Sequence, residues 1–198
     1  MALEAARIRA LCAAGIAVPT ILAETPDALL LADASAEETP TQTLLDSLAQ
    51  AETPDEIDHL LIMGISALND VHKRSCYLSE AFARNILVNK ERVVFIDFET
   101  DPGHYHKLTD CMVRDWHCFI FSLYGKLSQR PLHRERLTIA LMDGLQYARE
   151  DVRERFITTL PRLKRLQKIP FQRFGSDGKK IAHTLKALAL LDQHLRTK

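Results

Sequence analysis

Little in this sequence breaks a chain or strings it out. Seven glycines and eight prolines in 198 residues argue against a disordered or fibrous protein. No apolar run approaches about 18 residues, so no segment is expected to span a bilayer. The start, "MALEAARIRALCAAG", carries Glu4, Arg7 and Arg9 and lacks the unbroken apolar block of a secretory signal. The cysteines Cys12, Cys76, Cys111 and Cys118 form no C-x-x-C pair and no zinc spacing. They are expected to be mostly buried thiols in a reducing cytoplasm. Basic residues are nearly missing from the first 70 positions. The basic residues that follow are not interleaved with aromatics, so composition gives no case for nucleic-acid binding.

A 46% hydrophobic content suits a globular protein with one good core and at most two small lobes. Residues 1–70 hold two basic and twelve acidic side chains, net −10; residues 71–150 are net +2, and residues 151–198 are net +8. A basic C-terminal part fits an anionic substrate, an acidic partner, a phospholipid surface or simply a solvated helical face.

Periodicity predicts a helix over 3–14 with a stripe of Leu3, Ala6 or Arg7, and Ala10 or Leu11, stopped by Gly15. It then predicts short strands over 16–22 and 28–33 around a turn, a polar connection over 35–42, and a short helix over 42–50. A long helix is expected from Pro54 to about Ser75, with Ile57, Leu61, Ile65 and Leu68 on one face. Residues 85–88 and 92–98 read as a hairpin around Asn89-Lys90-Glu91. A loop over 100–110, a helix over 112–127 and further helices complete the chain. Leu137, Leu141, Leu145, Ala148 and Val152 mark one stripe, and Ile181, Leu185, Leu188 and Leu195 mark the last. The fold class is therefore α+β and mainly helical.

The hairpin concentrates polar chemistry. It brings its two ends together, so Asn85 and Asp97 can face one pocket. An amide oxygen and a carboxylate at a strand end make a hard-oxygen site suited to Mg²⁺. Glu80 is near enough to orient a hydroxyl or act as a base. That is a layout for phosphoryl transfer, which needs positioning and charge neutralisation. The plainer alternatives are a hairpin-end turn for Asn85 and Asp97, a solvated carboxylate for Glu80, and a packed structural His72. His104 and His106 beside Asp101 and Asp110 are a weak metal signal.

The stretch "VHKRSCYLSEAFARNILVNKERVVFIDFE", residues 71–99, resembles the protein-kinase-like superfamily. The similarity is to the C-lobe of small bacterial kinases of the lipopolysaccharide-kinase type, then to the aminoglycoside-phosphotransferase type. Their pattern is L-H-x-x-G, then H-G-D or H-R-D, four residues, Asn, a hairpin, and I-D-F-E or D-F-G. Val71-His72 stand at the L-H, Ser75 at the Gly, Leu78-Ser79-Glu80 at the H-G-D, and Asn85 and Ile96-Asp97-Phe98-Glu99 match. Upstream, residues 4–34 resemble the end of an N-lobe, with Glu4 as its helix Glu and Ala32-Asp33-Ala34 as the hinge. Downstream, Asp115 stands where the family holds its catalytic-loop backbone.

The resemblance implies a kinase-like fold with a reduced N-lobe of one helix and two strands over 1–34, and a helical C-lobe over 35–198 with the catalytic-loop hairpin at 76–99. It implies ATP and Mg²⁺ as cofactors: Asn85 and Asp97 on the metal, Glu80 at the acceptor hydroxyl, and the backbone of Ala32, Asp33 and Ala34 on adenine. The acceptor would be a hydroxyl of a sugar, small molecule or protein. No lysine precedes Lys73 to anchor phosphates, and Glu80 replaces Asp, so turnover is expected to be impaired. The alternative is a catalytically inactive pseudokinase-type module that binds or scaffolds. Its partner would be a protein or a second copy, through the uncovered strand edge at 17–22. The implied location is cytoplasmic, with peripheral contact at the inner membrane face.

Overall fold

A computed structural model describes residues 2–34, 41–90 and 92–196 (the side chain of Arg196 excepted). Most of the expected connection at 35–42, and Glu91 of the hairpin turn, lie outside the described residues. The fold is α+β and mostly helical; among the described residues it has one two-stranded and one three-stranded antiparallel sheet.

The chain opens with α1, Ala2–Ala13. Its buried face is Ala5, Ile8 and Leu11, while Leu3 is exposed. The expected Leu3 stripe is thus corrected by about one helix position. β1, Ile21–Glu24, pairs with β2, Leu29–Leu31. The first strand starts later than expected because Pro19 has no N–H to donate and residues 16–20 carry no ladder of their own.

β3, Gln42–Thr43, occupies what was expected to be the first turn of a helix; α2, Leu44–Gln50, follows it directly. Thr43 Oγ1 accepts from Asp46 N at 3.0 Å and caps α2. α3, Pro54–Lys73, starts at a capping box in which Thr53 Oγ1 accepts from Glu56 N and the Glu56 carboxylate accepts from Thr53 N. β4, Ile86–Asn89, and β5, Arg92–Phe95, form the hairpin, and β3 adds to its β4 edge.

Among the described residues four α-helices follow: α4, Leu108–Leu127; α5, Pro131–Gln146; α6, Glu150–Leu166; and α7, Gly175–Arg196. α4 begins four residues earlier than expected. The expected stripe through Ala148 to Val152 breaks between α5 and α6. There Arg149 leaves helical geometry and donates to His72 O at 3.2 Å and to Ser75 Oγ at 3.0 Å, tying this corner to the end of α3. α3 packs on α5, and α4 packs on α6 and α7. Trp116, Phe119, Ile120 and Leu123 of α4 are fully buried and fill the centre. Among the described residues no helix is long and apolar enough to cross a membrane.

The cysteines are less uniform than expected: Cys111 is buried, Cys76 and Cys118 are half-buried, and Cys12 is exposed on α1. α1 turns its opposite face to the core, which leaves position 12 in water.

The α4–α6 contact carries a pH dependence. His117 stacks on Phe156 at 4.9 Å between ring centroids, and its Nε2 lies 3.0 Å from Thr159 Oγ1. Burial pushes its imidazole down to about 4. The fold therefore favours neutral His117, whereas an unfolded His titrates near 6.5. This contribution is complete above about pH 6.5 and is lost as pH falls toward 4. Urea unfolding of wild type should show a loss of about 2 kcal/mol between pH 7 and pH 4.5 that His117→Gln does not show. Equal pH slopes in the two proteins would refute it.

Candidate functional site

The site grows out of the end of α3. Arg74 caps the helix, and Ser75 follows with φ +57°. Arg74 Nη1 donates to Ala14 O at 3.0 Å, so this corner is tied to the end of α1 as well as to Arg149. One turn back, His72 is wholly buried. Its Nε2 lies 3.2 Å from Asp115 Oδ2, and the same oxygen accepts from Leu78 N at 2.7 Å. Asp115 is equally buried. An ionised carboxylate only accepts, so the Leu78 amide and His72 Nε2 are its two donors. Asp115 thus holds the backbone that leads to Glu80.

Ser79 has φ +80°, is buried, and its Oγ has no hydrogen-bond partner among the described residues. A non-glycine residue in this conformation costs about 1–2 kcal/mol, and a buried unpaired hydroxyl costs about 1–3 kcal/mol. Ser79→Gly is therefore expected to stabilise the protein by about 1–2 kcal/mol, after allowing for glycine's greater freedom when unfolded. A lower urea midpoint for the variant would refute the strain.

Glu80 is half-buried. Its carboxylate lies 3.4 Å from Arg114 Nη2, and its carbonyl accepts from Asn85 Nδ2 at 3.2 Å. A single turn of 3-10 helix, Ala83–Asn85, follows. It is pinned to α4 by Ala83 N donating to Ser122 Oγ at 2.9 Å.

The hairpin register explains the spacing of twelve. Ile86 pairs with Phe95, and one step further Ile96 N donates to Asn85 O at 3.0 Å. Asp97 comes next, and φ +69° turns it out of the strand direction. Asn85 Nδ2 donates to Asp97 Oδ2 at 2.9 Å. Asn85 was expected in the strand and Asp97 within its partner. Instead both sit just past the ladder, because the strands end where the ladder hydrogen bonds end. Because Nδ2 donates to both Glu80 O and Asp97 Oδ2, the amide orientation is fixed and Oδ1 faces the other way. The Asp97 carboxylate is a hard oxygen donor at this strand end, and a rotation of the Asn85 amide that exchanges Nδ2 for Oδ1 would set a second beside it. Mg²⁺ takes one or two such protein ligands and completes its shell with water and phosphate, so the chemistry of these two residues fits it once the amide has turned.

The N-terminal piece reaches this site through backbone links. Phe95 N donates to Ala17 O at 3.0 Å, so residues just before β1 lie beside β5. Ala32 N donates to Thr20 O at 2.8 Å, which returns the end of β2 to the same segment. Ala32 and Ala34 are half-buried and Asp33 is exposed. Glu4 sits in the first turn of α1, where the helix dipole favours it.

Other residues near the site gave no signal in the sequence. The Arg7 guanidinium lies 4.1 Å above the Tyr77 ring, tying α1 to the segment before Glu80. The Tyr77 hydroxyl donates to Asp101, and burial, then that hydrogen bond, pushes its phenol up to about 12. Arg7 and Tyr77 are 70 residues apart, and no local pattern joins them. The weak His104–His106 signal is dispersed. His104 Nε2 is 3.7 Å from Asp101, but Asp110 pairs with Arg155 at 2.6 Å. Among the described residues no three His, Cys, Asp or Glu side chains gather around a metal-sized space.

The chain matches no protein-family model, no curated protein and no solved structure.

Proposed function

We propose that this chain binds ATP through Mg²⁺ at Asn85 and Asp97, as a kinase-like phosphotransferase with a reduced N-lobe and slow turnover. The observation that carries the reading is the Asn85–Asp97 pair at 2.9 Å, closed by the hairpin and by a backbone turn at Asp97. Unusual backbone gathers here: among the described residues, three of the four non-glycine residues with positive φ are Ser75, Ser79 and Asp97. Backbone held in sparsely populated regions concentrates at functional sites. The buried carboxylate of Asp115 on the Leu78 amide supports the same reading, since it fixes the segment that carries Glu80.

In this reading Mg²⁺, when bound, neutralises phosphate charge. Glu80 orients the acceptor hydroxyl, and backbone groups of Ala32, Asp33 and Ala34 meet the adenine. The acceptor is a hydroxyl of a sugar, small molecule or protein. Arg114 Nη2 lies 3.4 Å from the Glu80 carboxylate and competes with an acceptor hydroxyl for its lone pairs. The same contact favours a second reading, a pseudokinase-type module that binds nucleotide or a protein partner without turnover. The protein is placed in the cytoplasm on either reading.

Calorimetric titration of ATP into the full chain, with Mg²⁺ and with EDTA, tests the proposal. Binding below about 1 mM ATP that weakens about tenfold or more in EDTA is expected. Metal-independent binding, or none, would overturn it. Metal-dependent binding with no ATP consumption would favour the module without turnover.

A further inference from the structure

We propose that the turn joining α6 to α7 docks this protein on an anionic phospholipid surface. Three large apolar side chains stand in water there within nine residues: Leu166 is 40% exposed, Ile169 42% and Phe174 66%. Around them, residues 162–180 hold seven Lys and Arg and a single acid, Asp177. Lys180 Nζ already neutralises that acid at 2.8 Å. Among the described residues the side chains of Arg162, Lys164, Arg165, Lys168, Arg173 and Lys179 make no hydrogen bond or ion pair.

Local structure does not account for this charge. Lys164 and Arg165 lie in the last turn of α6, where the helix dipole favours cations. Lys168 and Arg173 lie beyond it, and Lys179 sits near the positive end of α7.

The turn is also held in shape. Gln167 Nε2 donates to Leu185 O at 2.6 Å, and Phe174 N donates to Phe171 O at 2.8 Å. A Cβ on Gly178 would fall 1.9 Å from Phe171 O, so backbone packs on backbone at that point. The exposed apolar groups therefore project from a fixed loop.

The mixture of chemistries selects the occupant. A free polyanion would engage the cations and leave Ile169 and Phe174 without a role. At a bilayer interface these rings and chains enter the acyl boundary, while the basic side chains lay their stems along it and reach phosphate with their heads. The surface is made of α6, α7 and their turn, and it shares no residue with the Asn85–Asp97 site.

The test is sedimentation of the full chain with vesicles of phosphatidylcholine alone and with about 30% phosphatidylglycerol. Binding only to the anionic vesicles, weakening with salt, is expected. The triple variant Lys164→Glu, Arg165→Glu, Lys168→Glu should lose about 100-fold or more in affinity. The double variant Ile169→Ser, Phe174→Ser should lose about tenfold. All five side chains are exposed, so both variants should keep the wild-type unfolding temperature and ATP affinity. Failure of wild type to sediment with anionic vesicles would overturn the proposal, as would two variants that bind like wild type. Loss with the charge variant alone would also overturn it, and would point to a polyanion or an acidic protein partner instead.

Discussion

Asp115→Ala is expected to destabilise the protein by about 3–5 kcal/mol. The carboxylate is wholly buried and is the acceptor for both the Leu78 amide and His72 Nε2. Its removal leaves both donors without a partner in a place that water does not reach, at about 1–3 kcal/mol each. It also empties space next to Trp116 in the helix at the centre of the core. Total stability of a domain this size is on the order of 5–15 kcal/mol, so the loss is a large fraction of it. Asp115→Asn keeps the shape and one acceptor oxygen and should lose less. Urea unfolding of the three proteins decides it. A loss under about 1 kcal/mol for Asp115→Ala would mean that the Leu78 amide finds another partner and that Asp115 does not anchor this segment.

The second large effect is on binding. Asp97→Asn should lose about tenfold or more in ATP affinity in Mg²⁺, approaching the affinity of wild type in EDTA, while folding normally. Asp97 is half-buried, with φ +69°, a conformation that Asn tolerates as well as Asp. The exchange removes the negative charge and keeps an oxygen for Asn85 Nδ2. Asp97→Ala should lose the same affinity plus about 1 kcal/mol of stability, because a Cβ without a short polar group is strained in this region. The two variants together separate charge from backbone. If Asp97→Asn bound Mg²⁺ and ATP like wild type, the carboxylate would be a hairpin-end turn residue, and the search would move to protein partners.

Where local chemistry decides a feature, the sequence shows it. Pro54 marks the start of α3, because Thr53 and Glu56 close a capping box within four residues. The hairpin is legible because two short apolar runs flank a polar turn. Its register alone carries Asn85 to Asp97. Periodicity over Leu137, Leu141 and Leu145 locates a buried face in α5, and all three are fully buried. The same periodicity misleads at the next step. It runs on through Ala148 to Val152, and nothing nearby says that Arg149 will leave the helix to reach His72 and Ser75, more than 70 residues away. β3 is two residues long and exists only because β4 lies alongside it.

The sequence by itself determined the class of fold, the approximate bounds of the first three helices, the end of α4, and the pairing of Asn85 with Asp97. These follow from periodicity, caps and hairpin register, which act over a few residues. Tertiary structure decided the rest. It set Arg114 against Glu80, buried Asp115 on His72 and the Leu78 amide, and laid Arg7 over Tyr77. It also left Leu166, Ile169 and Phe174 in water beside a row of unpaired cations. Each of these depends on which surfaces of distant elements meet. That is settled by burying the most apolar area with the fewest unpaired polar groups, a condition on the whole chain that no short window of residues contains.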